Sequence, residues 1–145
     1  MNKFFRLVGL LLIFLLQASA YAQISEVSVE VNWVNWSSDN KVEVYDPSGN
    51  LMLEICDPIN CQTTTANSSY AQTFNIGCYQ NLSNYYIIAL DAFGDGWNGA
   101  GSYVRVFSGG TQVLNYNLTA GATSGQQFFT VSGGGTCPTT DAGIS

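Results

Sequence analysis

Histidine is absent from the 145 residues, and basic side chains are scarce, with four Lys and Arg in all. Without imidazole the Ser-His-Asp and Cys-His nucleophile systems are excluded, and so are most zinc sites. Catalysis would have to rest on carboxylates. Lys3 and Arg6 stand at the very start, so beyond them only Lys41 and Arg105 oppose ten Asp and Glu, a balance of −8. A surface of that sign repels phosphate backbones and anionic lipid headgroups, which argues against nucleic-acid binding and against anionic membrane surfaces. Nor is there an apolar run of the roughly 20 residues that a membrane-spanning helix needs, so no membrane insertion is expected.

The apolar run that does exist, Leu7 to Leu16, follows Lys3 and Arg6 and precedes small residues at Ala18, Ala20 and Ala22. A positive start, a short apolar centre and a small-x-small end are the three parts of a secretory signal peptide. Cleavage after Ala20 or Ala22 fits, and Ala22 is preferred, which makes residues 1–22 the signal and places the rest at the cell surface or outside the cell. Export permits disulfides, and an even count of four cysteines points to them. Cys56 and Cys61 bracket a short loop, while Cys78 and Cys137 flank the second half of the domain. That pairing is favoured, with Cys61 to Cys78 and its complement left open by the sequence.

Residues 23–132 are expected to form a single module. Val27, Val29, Val31 and Trp33 alternate with polar residues, the period-2 pattern of a half-buried strand. Residues 41–45 and 51–55 alternate in the same way around Asp46-Pro47-Ser48-Gly49-Asn50, a hairpin turn by composition. Further strands are expected at 70–74, 85–91, 101–107, 111–118 and 126–132, divided by Gly- and Asn-rich turns. About eight short strands and no convincing helix predict an all-β, antiparallel sandwich of jelly-roll type. Gly133-Gly134-Gly135 then opens a flexible tail, residues 133–145.

The stretch from Asp91 to Gly101 carries the chemistry. Calcium takes six to eight oxygen ligands from carboxylates, amide side chains, backbone carbonyls and water. Asp91, Asp95 and Asn98 offer side-chain oxygens close together, and the glycines between them let the backbone turn tightly enough to present carbonyls. Asp-Gly and Asn-Gly are also ordinary turn pairs that bind nothing, so residue chemistry leaves both a cation site and a purely structural turn open. Trp97 is equally two-sided: exposed, it would stack on a sugar ring with Tyr103 beside it on the rim; buried, it would belong to the core.

Gly77-Cys78-Tyr79, the apolar strand Tyr85 to Leu90, Asp91-Ala-Phe-Gly-Asp-Gly-Trp-Asn-Gly and Gly101-Ser-Tyr-Val-Arg-Val together resemble a CUB-like β-sandwich module. Such modules, with their D-x-x-G-D-G-W-N-G loop, occur in multidomain extracellular proteins of Bacteroidetes, beside peptidases or adhesive domains. The resemblance spans most of residues 27–132. It implies a non-catalytic role, favours calcium over an empty turn, and points to Asp91 and Asp95, then Asn98, as the acidic loop. In the family's first half an Asp and a Glu precede a strand reading W-x-L-x-D-x-x-G. Here that strand reads Val42-Glu-Val-Tyr-Asp46-Pro-Ser-Gly49, with Asp39 near the expected Glu and no Trp, which leaves a first-half ligand open. The ending Asp141-Ala-Gly-Ile-Ser resembles the first residues of an Ig-like module, so further modules of a longer chain are among the expected partners.

An Asp91 and Asp95 pair could in principle serve as the acid and base of a glycosidase, but two Asp on one tight loop more readily share a cation, and no enzyme is expected. Sequons at Asn35, Asn67, Asn81 and Asn117 would be glycan sites on exposed turns in a eukaryotic secreted protein, and polar loops in a bacterial one, the origin that the resemblance favours. The leading expectation is a calcium-stabilised module for adhesion or recognition, with glycans or cell-surface proteins as partners. A carbohydrate-binding accessory module and a ligand-free spacer or assembly subunit are the alternatives.

Overall fold

The computed structural model describes residues 23–64, 67–134 and 137. The expected signal peptide and the tail with Asp141 lie outside the described residues. Among the described residues eight strands are formed: β1 Ile24–Trp33, β2 Asn40–Tyr45, β3 Leu51–Cys56, β4 Tyr70–Gln80, β5 Tyr85–Asp91, β6 Tyr103–Ser108, β7 Thr111–Tyr116 and β8 Ser124–Phe129. They make two four-stranded antiparallel sheets, in the orders β4-β1-β6-β7 and β3-β2-β5-β8. The all-β sandwich expected from the alternation is what forms.

Adding four to each strand number of the first sheet, with β5 to β8 returning to β1 to β4, gives the second sheet in reverse order. Each half of the chain is thus one strand, a hairpin in the opposite sheet and a return strand beside the first, as in a Greek key. Connections 34–39 and 92–102 are equivalent under this relation, and so are 57–69 and 117–123. All four lie at one end of the sandwich.

Alternation decides which face packs. Val27, Val29, Val31 and Trp33 of β1 meet Val42 and Val44 of β2, Ile87 and Ala89 of β5, and Val104 and Val106 of β6 in one buried core. The β-branched side chains suit a pleated surface, where their restricted χ1 costs little. On the outer face, Tyr45, Tyr86 and Phe128 form a cross-strand aromatic row, and Lys41 pairs with Glu43 and Glu54.

Strand β4 runs six residues past the expected 70–74. The extension pairs with β1 through a register shift at Val27/Ser28, where Gly77 has φ 110°. A bulge hides alternation, because the extra residue throws the following side chains onto the other face.

Cys56 pairs with Cys61, and Cys78 with Cys137, as favoured. The first bridge closes a separation of 5 residues and the second of 59. Loop-closure entropy then gives about 2 kcal/mol to the first and about 4 to the second. Urea unfolding of the two Cys→Ser pairs is expected to return losses in that order. Equal losses would mean that the bridges act through native contacts rather than through the unfolded chain.

Candidate ligand-binding site

Asp91 ends β5 with its side chain turned inward. Its carboxylate gathers three backbone N–H groups of the loop that follows: Oδ1 accepts from Phe93 at 3.0 Å, and Oδ2 from Gly94 at 3.1 Å and Gly96 at 2.6 Å. Asp91 is buried, so it is a clamp that fixes the loop, using its oxygens on amides. The loop is welded to the β7–β8 connection by Trp97 N donating to Leu118 O at 3.2 Å and Gly121 N to Asp95 O at 2.9 Å.

Asp95, by contrast, is exposed, and its Oδ2 accepts from Asn98 Nδ2 at 2.9 Å. Asp39 approaches from the equivalent connection on the other half. It closes a short 3-10 turn, Ser37–Asp39, whose position is set by Ala92 N donating to Asp39 O at 2.9 Å. Burial pushes the Asp39 carboxyl above the usual carboxylate range, and the charges of Asp91 and Asp95 push it the same way against a hydrogen bond from Ser38. The Asp39 carboxyl thus lies within the field of two others at the meeting of two equivalent loops.

Between these loops opens a cavity of about 190 Å³ lined by Trp36, Asp39, Thr64, Phe93, Asp95 and Asn98. Its two aromatic walls are exposed, Trp36 at 38% and Phe93 at 67%. Trp36 holds a left-handed backbone, φ 51° and ψ 41°, which costs an L-residue roughly 1–2 kcal/mol. Its N–H donates to Asn67 Oδ1 at 3.3 Å, and the next amide, Ser37 N, donates to Ser68 O at 3.0 Å. The bulky residue is held where glycine would sit more easily, and its indole is not repaid by deep burial.

Asp57 anchors the third connection. Although its burial works against ionisation, hydrogen bonds from Ser37 Oγ, Ile59 N, Asn60 N and Ser68 Oγ hold its carboxyl below the usual range. It gives the Cys56–Cys61 loop the kind of amide clamp that Asp91 gives the 92–102 loop.

The structure brings Asp39, Asp95 and Asn98 to one cavity and turns Asp91 into their support. Trp97 and Tyr103 go elsewhere. Trp97 is buried at 4% exposure, packs edge-on against Trp33 at 5.7 Å and donates from Nε1 to Leu90 O at 3.0 Å. It is a core residue with no face for a sugar. Tyr103 lies on the outer face of β6, donates to Glu30 at 2.7 Å and carries the Arg105 guanidinium 3.8 Å over its ring. The aromatics that do face the cavity, Trp36 and Phe93, were missed. The available signal was their position: Trp36 breaks the phase that ends at Trp33, and Phe93 stands alone among loop residues.

Hard oxygen donors with no basic group among them suit a calcium ion better than a softer metal. Lys41 and Arg105 are committed to Glu43, Glu54 and Glu30 elsewhere. Among the described residues no three carboxylates come close enough to hold a metal by themselves. A cation here would take Asp39, Asp95, the Asn98 amide oxygen and backbone carbonyls. Among the described residues no helix is long and apolar enough to cross a membrane.

No protein-family model matches the sequence, and no curated protein matches it. Among solved structures, the alpha toxin from Clostridium absonum is similar at 16% identity and a TM-score of 0.36, over 83% of this chain and 34% of the toxin chain. The chain thus spans about a third of that protein's length, and a likeness at this level carries no argument about function.

Proposed function

We propose that this chain is an exported, non-catalytic β-sandwich module whose end cavity binds calcium, and that it serves adhesion or recognition at the cell surface or outside the cell. The observation that carries the reading is the convergence of Asp39 and Asp95, from equivalent loops, on one cavity with Asn98 and with no basic side chain to neutralise them. A divalent cation would remove the mutual repulsion and lock the two loops together. Asp91 supports the site by fixing the backbone of the 92–102 loop. The same commitment of Asp91 to three amides makes it unfit for proton transfer, which together with the lack of histidine supports the non-catalytic reading. Reducing ends released from a polysaccharide panel, and lost in Asp39→Asn, would overturn that part.

Thermal melts in chelator and in millimolar calcium test the cation. At calcium a hundred times its Kd the gain is about 2.7 kcal/mol, on the order of 10 °C for a domain of this size. Asp39→Asn gives a second, opposite readout. Because the folded state raises the Asp39 pKa, protonated Asp39 is favoured in the fold, and the associated stability is lost as pH rises through the folded value. At neutral pH the ionised group therefore destabilises the metal-free protein. Asp39→Asn is expected to raise the melting temperature in chelator and to abolish the response to calcium. A wild-type melt indifferent to calcium would sink the proposal.

A further inference from the structure

From the walls of the same cavity, we infer that it binds one neutral sugar ring of a glycan, with Trp36 and Phe93 as the stacking faces. The inference rests on the end cavity being the module's ligand site, not on calcium occupying it.

Four observations converge. Trp36 and Phe93 come from equivalent loops and line one cavity with both rings exposed. The Trp36 backbone is held left-handed by the Asn67 side chain and its neighbours, so the fold sustains a strained residue to keep an indole at that mouth. Strain of this kind gathers at ligand sites, where an accurately placed side chain matters more than stability. The remaining lining groups, Asp39, Thr64, Asp95 and Asn98, are hydrogen-bonding side chains. Finally, a volume of about 190 Å³ falls below the roughly 300–1,000 Å³ of sites that enclose drug-sized ligands.

A pyranose matches that combination. Its C–H face packs on an aromatic ring, which presents a negative π face, while its hydroxyls donate to carboxylates and accept from amide and hydroxyl groups. Without calcium, Asp39 and Asp95 oppose a uronate or sulfated sugar, since no basic side chain stands among the lining residues to receive an anion. The size selects a single ring, hence a chain end or a branch rather than the length of an extended polysaccharide. Trp97, the sugar-stacking residue suggested by sequence, has no part in this.

Isothermal titration with soluble neutral glycans tests the inference: galactomannan, arabinoxylan, mixed-linkage β-glucan and an α-glucan, in calcium and in chelator, with alginate in chelator as the anionic control. At least one neutral glycan is expected to bind and alginate not to. Trp36→Ala and Phe93→Ala are each expected to weaken binding at least tenfold, and Trp36→Phe to recover most of it. Both Ala variants should keep the wild-type calcium shift in melting, which separates this inference from the cation reading. Trp36→Asn, a residue that tolerates the left-handed backbone, should melt no lower than wild type yet lose the glycan, so that loss of binding is not loss of fold. No neutral glycan bound, binding confined to alginate, or binding indifferent to Trp36 and Phe93 would each overturn it. Trp36- and Phe93-dependent binding to phosphatidylcholine vesicles, without glycan binding, would overturn it in favour of a lipid surface.

Discussion

Asp91→Ala is expected to lose about 5 kcal/mol of stability even in chelator. The size of the loss is set by what the carboxylate holds. Hydrogen bonds to a charged group contribute about 1.5–3 kcal/mol each, and a buried donor left without an acceptor costs about 1–3. Three amides, of Phe93, Gly94 and Gly96, depend on this one side chain. The effect is less than the sum because the loop relaxes toward water once released. Asp91→Asn should fall between, since its amide keeps one acceptor oxygen but turns an NH2 toward amides that also donate. Asp95→Ala, at an exposed position whose carboxylate accepts from Asn98, should stay within about 0.5 kcal/mol. Urea unfolding in chelator reads all three. If Asp91→Ala were as mild as Asp95→Ala without calcium, Asp91 would be a metal ligand and not a clamp.

That contrast shows where sequence reading reaches its limit. The loop from Asp91 to Gly101 could be singled out as the place of interest, because carboxylates, an amide and glycines crowd there. Their separate roles could not be read, since they depend on which donors converge on each oxygen after folding. Asp91 and Asp95 look alike in the sequence; only the inward phase at the end of β5 makes one a buried clamp. Asp39 reaches the cavity because β2 lies beside β5, with Asn40 opposite Asp91, a neighbourhood that no local pattern encodes.

The fold was more legible. Period-2 alternation finds β1, β2 and β3, whose inward positions are mostly apolar, while β5 stands out as a continuous apolar run that ends on the inward Asp91. It fails along β4, where the bulge at Gly77 resets the phase on a sheet-edge strand with many exposed residues. It also misplaces β8, expected at 126–132 and found at Ser124–Phe129. Val131, though buried, is past the strand, with its N–H bonded to Leu82 O at 2.9 Å. The aromatics were the hardest. A loop tryptophan has no period to place it: Trp97, open in the sequence between rim and core, is a core residue, and Trp36, which the sequence reading passed over, lines the cavity.

The close approach behind the acidic loop supplies the other large effect. Gly96 has φ +82°, and a Cβ there would lie 2.3 Å from Thr119 O, 2.8 Å from Thr119 C and 2.9 Å from Ala120 Cα. All three are backbone atoms, so no side chain can swing aside. Gly96→Ala must push the β7–β8 connection away, which pulls on the Trp97 N to Leu118 O and Gly121 N to Asp95 O bonds and shifts one of the three amides that Asp91 holds. Left-handed strain of roughly 1–2 kcal/mol and overpacking of about 1–3 kcal/mol give a loss of about 2–5 kcal/mol. Gly110 supplies the control. Its φ is +80°, but nothing lies within 4 Å of its Cβ position, so Gly110→Ala should show the strain alone, about 1–2 kcal/mol. Urea unfolding of the two variants separates backbone strain from collision. Similar losses would mean that the loop yields freely, and the rigid support for Asp39, Asp95, Trp36 and Phe93 would have to come from elsewhere. A Gly96 loss at least twice that of Gly110, with the calcium response abolished in Gly96→Ala alone, is the result expected of a cavity held open from behind by this contact.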